Sequence, residues 1–344
     1  MLKPYKIGVI GSGNIGTAMA ALLTQSEAEV WITARGARLE QITQDGIHLD
    51  ERGRKISAKP KAQSQINQAM DALFVCVKSQ SLAAAVRMNK DAITKDTLVI
   101  PMVNGLPFWF YATDTAMGDV PRLDPDGDLA LILRPQQVLG AVLLMTVQMD
   151  GAGVAKSSNT PTLSLGAVCE GCDDAKVAQL VSYLETSGIK TEISPQIRQK
   201  VLVKLLANFT TNPLSALTGA LLEDIGQTPA LCDIATSLAD EFRIWAEDEG
   251  FELPPNDWLV DLMIDAGPFP TSMLQDAQAA KPLELDAICY APFELAQTKG
   301  FDMPVLFSLL TLLQTTPILP APKSQMSDLV DQIRGHYPQE RISS

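Results

Sequence analysis

Two groups of residues in this 344-residue chain have the types and spacing to do chemistry. The first is Gly11-Ser12-Gly13-Asn14-Ile15-Gly16, a GxGxxG run between the apolar segment Ile7–Ile10 and the helix-like run Thr17–Gln25. In that context each glycine has a task. Gly11 permits a tight turn, Gly13 lets backbone approach a pyrophosphate, and Gly16 lets helix and strand pack closely. Unpaired amides at the helix N-terminus then face the anion. The loop therefore reads as a dinucleotide site in which Gly11, Ser12, Gly13, Asn14, Ile15 and Gly16 bind cofactor. The plainer alternative is a glycine-rich turn without a ligand.

The second group is built around Lys204. It sits in Val201–Phe209, which is otherwise almost entirely apolar. A lysine there either snorkels to water or serves a site, and the local sequence leaves both open. Lys204 and Asn208 are four residues apart and share a helix face, and Asn212 continues the stripe. Asn212-Pro213 is expected to close that helix. Further on, Ser272 and Gln275 have the spacing of a capping box. Glu284 follows Ser272 by twelve residues.

The end of the second predicted strand selects the nucleotide. An NAD enzyme usually carries an acid there for the ribose 2′-hydroxyl. This chain has Ile32-Thr33-Ala34-Arg35-Gly36-Ala37-Arg38, with no acid. Arg35 can pair with a 2′-phosphate, and Arg38 is expected to help it. The cofactor expected is thus NADPH/NADP, unless both arginines are simply solvated.

The elements that must position these groups fall into two textures. Strand-like segments at Ile7–Ile10, Glu29–Thr33, Leu73–Val77 and Thr97–Val103 alternate with helical stretches such as Ser81–Met88, the pattern of a parallel sheet with crossovers. Gln137–Met149 is a further strand and Thr162–Leu165 a weaker one. From Ile197 onward helical periodicity dominates, with helices expected at Ile197–Thr211, Pro229–Glu249, Ser272–Ala280, Leu283–Lys299 and Met303–Thr315. The fold class expected is α/β: an N-terminal Rossmann-type domain over 1–195 and an all-α C-terminal domain over 196–344. Residues 107–136 are aromatic at the start and turn-rich later, and read as an insertion forming a hairpin or lid. Pro338–Ser344 is polar and expected to fray.

Composition removes other classes. The formal net charge is -13, with 40 acidic against 27 basic side chains. Such a surface repels phosphate backbones and anionic lipids, so neither nucleic acid nor membrane is an expected partner. No transmembrane stretch and no export signal is legible, and five cysteines read most simply as thiols in a cytoplasm. Cys169-Glu170-Gly171-Cys172 has CxxC spacing but no second pair, so a surface turn is expected in place of a redox or metal site. His48 and His336 occupy no motif, which argues against a histidine-based dehydrogenase.

Taken together, these segments resemble the ketopantoate reductase (2-dehydropantoate 2-reductase) family. The likeness is carried by the loop at Gly11–Gly16, Val77-Lys78, Asn104-Gly105, Lys204-x-x-x-Asn208-x-x-x-Asn212-Pro213-Leu214, Ser272-Met273-Leu274-Gln275-Asp276 and Glu284-Leu285-Asp286, in the family's order. The resemblance implies an NADP-dependent oxidoreductase that reduces 2-dehydropantoate to (R)-pantoate in pantothenate biosynthesis. In that reading Lys204 is the general acid, while Glu284 holds the substrate hydroxyl and supports the lysine's charge. Asn104, Asn208, Asn212 and Ser272 bind substrate, and Lys78 and Asn104 line the cofactor side of the cleft. A hydride added to a ketone creates an alkoxide, and an ammonium in an apolar setting is a competent acid near neutrality. The partner expected is a small 2-keto acid, and a homodimer is compatible with the sequence.

The chain also departs from the family pattern. Asn104-Gly105-Leu106-Pro107-Phe108-Trp109-Phe110 resembles a longer-chain branch with an aromatic cluster, and Leu283 stands where a threonine is usual. Both changes are expected close to the substrate. The alternatives carried are a reductase of another branched or larger 2-keto acid, and a non-catalytic NADP-binding redox sensor.

Replacing Arg35 tests the nucleotide assignment. Arg35→Ala is expected to weaken NADPH binding by about 1–3 kcal/mol while leaving NADH binding nearly unchanged. Equal use of both cofactors by the unmutated protein, in parallel titrations, would refute the choice of NADP.

Overall fold

The computed structural model describes residues 4–315 and 332–333. The described chain divides into two compact units, residues 1–103 with 107–198, and residues 104–106 with 199–344.

In the first unit the elements are β1 (Lys6–Ile10), α1 (Asn14–Leu23), β2 (Glu29–Thr33), α2 (Gly36–Asp45), β3 (Ile47–Glu51), β4 (Arg54–Ala58), β5 (Lys61–Gln63), β6 (Ala72–Val75), α3 (Leu82–Met88) and β7 (Leu98–Pro101). They continue through α4 (Asp128–Ile132), β8 (Leu139–Leu144), β9 (Val147–Met149), β10 (Val154–Ser157), β11 (Thr162–Ala167), α5 (Asp174–Thr186) and β12 (Lys190–Ile193). Strands β5-β2-β1-β6-β7 form one sheet in that order, every pair parallel. The order reverses at β1, which pairs with β2 on one side and β6 on the other. Such a switch point is where doubly wound sheets bind ligands, beyond the carboxyl ends of the strands.

The strands β1, β2, β6 and β7 are almost wholly buried and largely apolar, as strands covered on both faces should be, whereas the edge strand β5 is polar and exposed. Helix α1 is buried along its whole length from Gly16 to Leu23. One face of it packs on β1 and β2, and the other on a second sheet ordered β4-β3-β10-β9. A helix apolar all round needs cover all round. That second sheet is the main element missed in the sequence. Its β3–β4 hairpin turns at Arg52 and Gly53, both at positive φ, with Asp50 Oδ1 accepting from the Gly53 amide at 2.8 Å. Arginine is an unusual occupant of the first of two left-handed turn positions, so the run Asp50-Glu51-Arg52-Gly53-Arg54 reads as a charged loop and conceals a hairpin.

The expected long strand over Gln137–Met149 is two strands, β8 and β9, that go to different sheets. β12 extends over Glu192-Ile193, residues that read as a break between domains.

Residues 107–136 form no hairpin; their only helix is the five-residue α4, followed by a short 3-10 turn at Pro135–Gln137. Their aromatic start lies inside the first unit, with Phe108, Trp109 and Phe110 at 3%, 1% and 2% exposure. Trp109 lies over Gly140, close enough that a methyl there would meet its ring at 2.6 Å. Arg198 fastens the segment by donating from Nε to the Phe110 carbonyl at 2.7 Å and from Nη2 to the carbonyls of Ala112 and Val168 at 2.8 and 2.6 Å. These rings fill the interior of the first unit.

The second unit is helical: α6 (Ile197–Thr218), whose first two residues fall in the first unit, then α7 (Leu222–Gln227), α8 (Pro229–Asp248), α9 (Asn256–Asp265) and α10 (Ser272–Gln278). A π-helical turn, Asp286–Tyr290, leads into α11 (Ala291–Thr298), and α12 (Pro304–Thr315) ends the described helices of that unit before residue 316. Helix α6 does not stop at Asn212-Pro213 but runs through Pro213. Leu214, Ala216 and Leu217 are all buried, and their burial outweighs the lost backbone hydrogen bond. Buried Glu241 caps α12, accepting from the amides of Val305 and Leu306 at 2.7 and 3.0 Å. The expectations for His336 and Pro338–Ser344 lie outside the described residues. No described helix is long and apolar enough to cross a membrane.

The Arg198 anchor can be tested by unfolding. Arg198→Ala leaves three carbonyls without their donor and is expected to cost about 2–4 kcal/mol in denaturant unfolding. A loss under about 0.5 kcal/mol, the range of ordinary surface substitutions, would mean that the 107–136 segment is held by its rings alone.

Candidate active site

The nucleotide loop begins where β1 ends. Gly11 has φ +100, and a Cβ there would meet the Cys76 carbonyl oxygen at 2.6 Å. A Cβ on Gly16 would collide with the Gly11 carbonyl, so helix and loop touch at that point. On Gly13, by contrast, it would meet nothing within 4 Å. The outer glycines are required by protein contacts. Gly13 faces open space at the start of α1, whose N-terminus no side chain caps. That arrangement leaves room and amide donors for a pyrophosphate, so these residues fit a dinucleotide.

Two threonines that the sequence reading passed over shape the loop. Thr33 Oγ1, at the end of β2, accepts from the Gly11 amide at 2.9 Å, and Thr17 Oγ1 donates to the Ser12 carbonyl at 3.0 Å. Their only sequence signal is position: one closes the strand before Arg35, and the other follows Gly16. Asn14 turns its side chain to the Val147 carbonyl at 3.1 Å, which leaves its backbone to the loop.

Arg35 is exposed at the N-cap of α2, with no acid in that helix's first turn. Its Nη2 lies 3.0 Å from the Met88 sulfur. Arg38 is half-buried and tied into the unit, donating to Gln41, Gly153 and Thr17. Lys78 is half-buried just past β6, heading a short 3-10 turn at Ser79–Ser81.

In the second unit Lys204, Asn208 and Asn212 lie on α6. Leu202, Leu205, Leu206 and Phe209 surround the lysine's position on the helix and are fully or almost fully buried. Burial lowers the Lys204 pKa to about 8, and the nearby Glu284 carboxylate pushes the other way. Desolvation penalises the ammonium and the carboxylate restores part of it. Glu284 sits directly ahead of the π-helical turn. Asn212 is buried, and its side-chain Nδ2 has no acceptor among the described residues. Asn208 is half-buried one turn from Lys204.

Asn104 belongs to this unit although it comes from the N-terminal half of the chain. The following Gly105 has φ +93 and rests on Ala287, where a Cβ would lie 2.5 Å from the backbone. Leu106 then donates its amide to the Ala287 carbonyl at 2.7 Å. Asn104 is thus pinned to the turn that follows Glu284.

Ser272 is exposed at the first position of α10 and does not cap it. Thr271 is the N-cap, its Oγ1 accepting from the Leu274 amide at 3.1 Å. The expected capping box is off by one residue, and the Ser272 hydroxyl is released from that task. Cys169 and Cys172 lie in and beside a turn, and burial raises both thiols. The described residues hold no group of three or more histidine, cysteine or acidic side chains placed to bind a metal.

The sequence profile described as "Ketopantoate reductase PanE/ApbA" matches residues 7–169, and its C-terminal companion matches 196–316. The chain belongs to the ketopantoate reductase PanE/ApbA family. Among curated relatives, the 2-dehydropantoate 2-reductase of Mesorhizobium japonicum is 30% identical over 319 residues, covering 90% of this chain and 97% of that one. The 2-dehydropantoate 2-reductase of Pyrococcus horikoshii is 24% identical, over 90% of this chain and 96% of its own. A crystal structure from Ralstonia solanacearum MolK2, assigned as a ketopantoate reductase, superposes with a TM-score of 0.84 at 26% identity, covering 97% of this chain and all of that one. D-mandelate dehydrogenase, solved with NADH and anilino(oxo)acetate, shares the fold with a TM-score of 0.76 at 20% identity, over 95% of this chain and 99% of its own.

The Lys204 amine provides a measurable consequence. With its pKa lowered to about 8, it is charged below that pH and neutral above it. Glu284→Gln removes the opposing charge and should lower the midpoint further. Isotope-edited NMR of the reductively methylated protein reads both midpoints. A Lys204 midpoint near the ordinary 10.4, or one that rises in Glu284→Gln, would show that burial and the Glu284 carboxylate do not set the amine's charge.

Proposed function

We propose that this chain reduces 2-dehydropantoate to (R)-pantoate with NADPH. The observation that carries the reading is the Lys204 ammonium, set in an apolar helix, tuned to about pH 8 and supported by Glu284. NADPH supplies the hydride; the protein must supply a proton and hold the acid. Lys204 Nζ donates that proton to the keto oxygen as charge develops there, and an amine with a pKa near the working pH gives it up readily. Glu284 keeps the amine charged and accepts a hydrogen bond from the substrate hydroxyl. The Asn212 amide, buried and without an acceptor among the described residues, is a ready donor to the substrate, beside Asn208, Asn104 and Ser272. The Gly11–Gly16 loop holds the pyrophosphate, Arg35 holds the 2′-phosphate, and Lys78 completes the cofactor side. On this reading residues 1–195 form the nucleotide domain and 196–344 the substrate domain.

The five thiols, none in a disulfide, fit a cytoplasmic setting. A structural neighbour from Staphylococcus aureus is described as a dimeric ketopantoate reductase, and a homodimer is the corresponding proposal for this chain.

The test is NADPH oxidation with 2-dehydropantoate and with 2-ketoisovalerate, which lacks the hydroxymethyl group. A site built to bond that hydroxyl should prefer 2-dehydropantoate in kcat/KM by about 10²-fold or more. That preference should collapse in Glu284→Ala, and Lys204→Ala should cut turnover by about 10²–10⁴-fold. A ratio near one in the unmutated protein, or faster turnover of a bulkier 2-keto acid, would reassign the substrate. Near-normal turnover in Lys204→Ala would reassign the acid, with Lys78 the first candidate.

A further inference from the structure

Arg38 is a cation for which the reading above leaves no task. Its Nη1 donates to Gln41 Oε1 at 2.6 Å and to the Gly153 carbonyl at 3.4 Å; its Nη2 donates to Thr17 Oγ1 at 3.0 Å and lies 3.9 Å from the Met149 sulfur. Its Nε is buried with no acceptor among the described residues. Every one of these partners is neutral. No described carboxylate offsets the charge, and burial alone shifts the guanidinium, downward. A half-buried cation surrounded by neutral acceptors is costly to keep. A structural staple could be made at less expense by a neutral side chain, so the retained charge points to a use.

Its hydrogen bonds show where that use lies. Thr17 accepts from Arg38 and passes its own hydroxyl proton to the Ser12 carbonyl, inside the nucleotide loop. Arg38, Thr17 and Ser12 thus form a chain of two hydrogen bonds, each 3.0 Å and the first charge-assisted, running from α2 into the loop. The other end of the guanidinium holds the turn between β9 and β10, where a Cβ on Gly153 would meet Arg38 Nη1 at 2.7 Å. Gln41 bonds the neighbouring Ala152 carbonyl at 3.1 Å, and Asn14 bonds Val147 on β9. The second sheet is thereby braced beneath the loop from three side chains. Arg35, three residues earlier, has none of these ties and stands exposed.

We propose that Arg38 is a positioning residue for the nucleotide loop. It holds the Ser12 carbonyl through the Thr17 hydroxyl and adds uncompensated positive charge behind the loop. It takes no part in reading the 2′-phosphate. The proposal rests on the dinucleotide reading of Gly11–Gly16. It separates two arginines that the sequence groups together: Arg35 discriminates between NADPH and NADH, while Arg38 serves both alike because both carry the same pyrophosphate.

The experiment is fluorescence titration of NADPH and of NADH on the folded full-length protein, with apo thermal midpoints recorded alongside. Arg38→Met should raise both dissociation constants by the same factor, about tenfold, and leave their ratio unchanged. Thr17→Val, which removes the hydroxyl at nearly constant volume, should raise both by about threefold. Thr17→Ser should restore wild-type affinity. Arg38→Lys keeps the charge but not the fork, and should fall between wild type and Arg38→Met. The double variant Arg38→Met/Thr17→Val should lose less than the product of the two single factors, because both cut one chain. A merely structural role would move the thermal midpoints and leave both affinities, their ratio and the non-additivity untouched; that result overturns the proposal. A selective loss of NADPH in Arg38→Met overturns it too and makes Arg38 a 2′-phosphate ligand. If Arg38→Met does not fold, Thr17→Val, Thr17→Ser and Arg38→Lys decide the matter on the same readings. Failure of the unmutated protein to bind either cofactor refutes the dinucleotide reading itself, and the proposal with it.

Discussion

The cost of holding a charge away from water governs the helical unit. An ammonium on an apolar helix is unstable unless a carboxylate answers it, and Lys204 is answered by Glu284. That requirement reaches well beyond the pair. Glu284 comes two residues before a π-helical turn. The turn accepts the Leu106 amide, and the accompanying contact at Gly105 permits no side chain larger than hydrogen. Asn104 is fixed as a by-product of the same contact. A π-helical turn is rare and marks functional positions more often than chance would, because its wider ring presents carbonyls in directions that an α-helix does not. Here one of those carbonyls is what the Asn104 segment binds.

The nucleotide unit meets the opposite demand. It has to leave donors unsatisfied at the start of α1 while burying the rest of that helix completely. Two sheets, one on either side of α1, achieve the burial. The loop at its mouth is held by hydroxyls: Thr33 on the strand side and Thr17 on the helix side. Short, singly hinged side chains suit this work, because they fix backbone without occupying the space the ligand needs. Gly13 is the one position of the loop's three glycines where nothing of the protein intrudes.

What the sequence discloses follows from how local each signal is. The glycine loop is contiguous, so its strand, turn and helix are legible together. Lys204, Asn208 and Asn212 are legible because helical spacing relates them. The β3–β4 hairpin is not, since Arg52 takes a left-handed position that propensity assigns to glycine or asparagine. Pro213 looks like a stop because its local cost is plain, whereas the burial of Leu214 and Leu217 that outweighs it is a tertiary fact. Ser272 and Thr271 are both competent caps, and only the backbone decides between them. Phe108, Trp109 and Phe110 could serve an interior or a pocket equally well by composition, and the Arg198 fork settles them inside.

Asn104, Gly105 and Leu106 carry a consequence for inheritance. The chain leaves the first unit for three residues, returns at Pro107, and leaves again after Arg198. A gene cut between the two profile segments, 7–169 and 196–316, looks modular on paper. Yet a helical half expressed from that cut would lack the peptide that seats on Ala287, and a nucleotide half grafted onto a different partner would bring a foreign tripeptide to that seat. Recombination between distant members of the lineage therefore has to preserve a match between residues 104–106 and residue 287, positions nearly two hundred apart in the reading frame. The two halves are therefore expected to be exchangeable only as a pair.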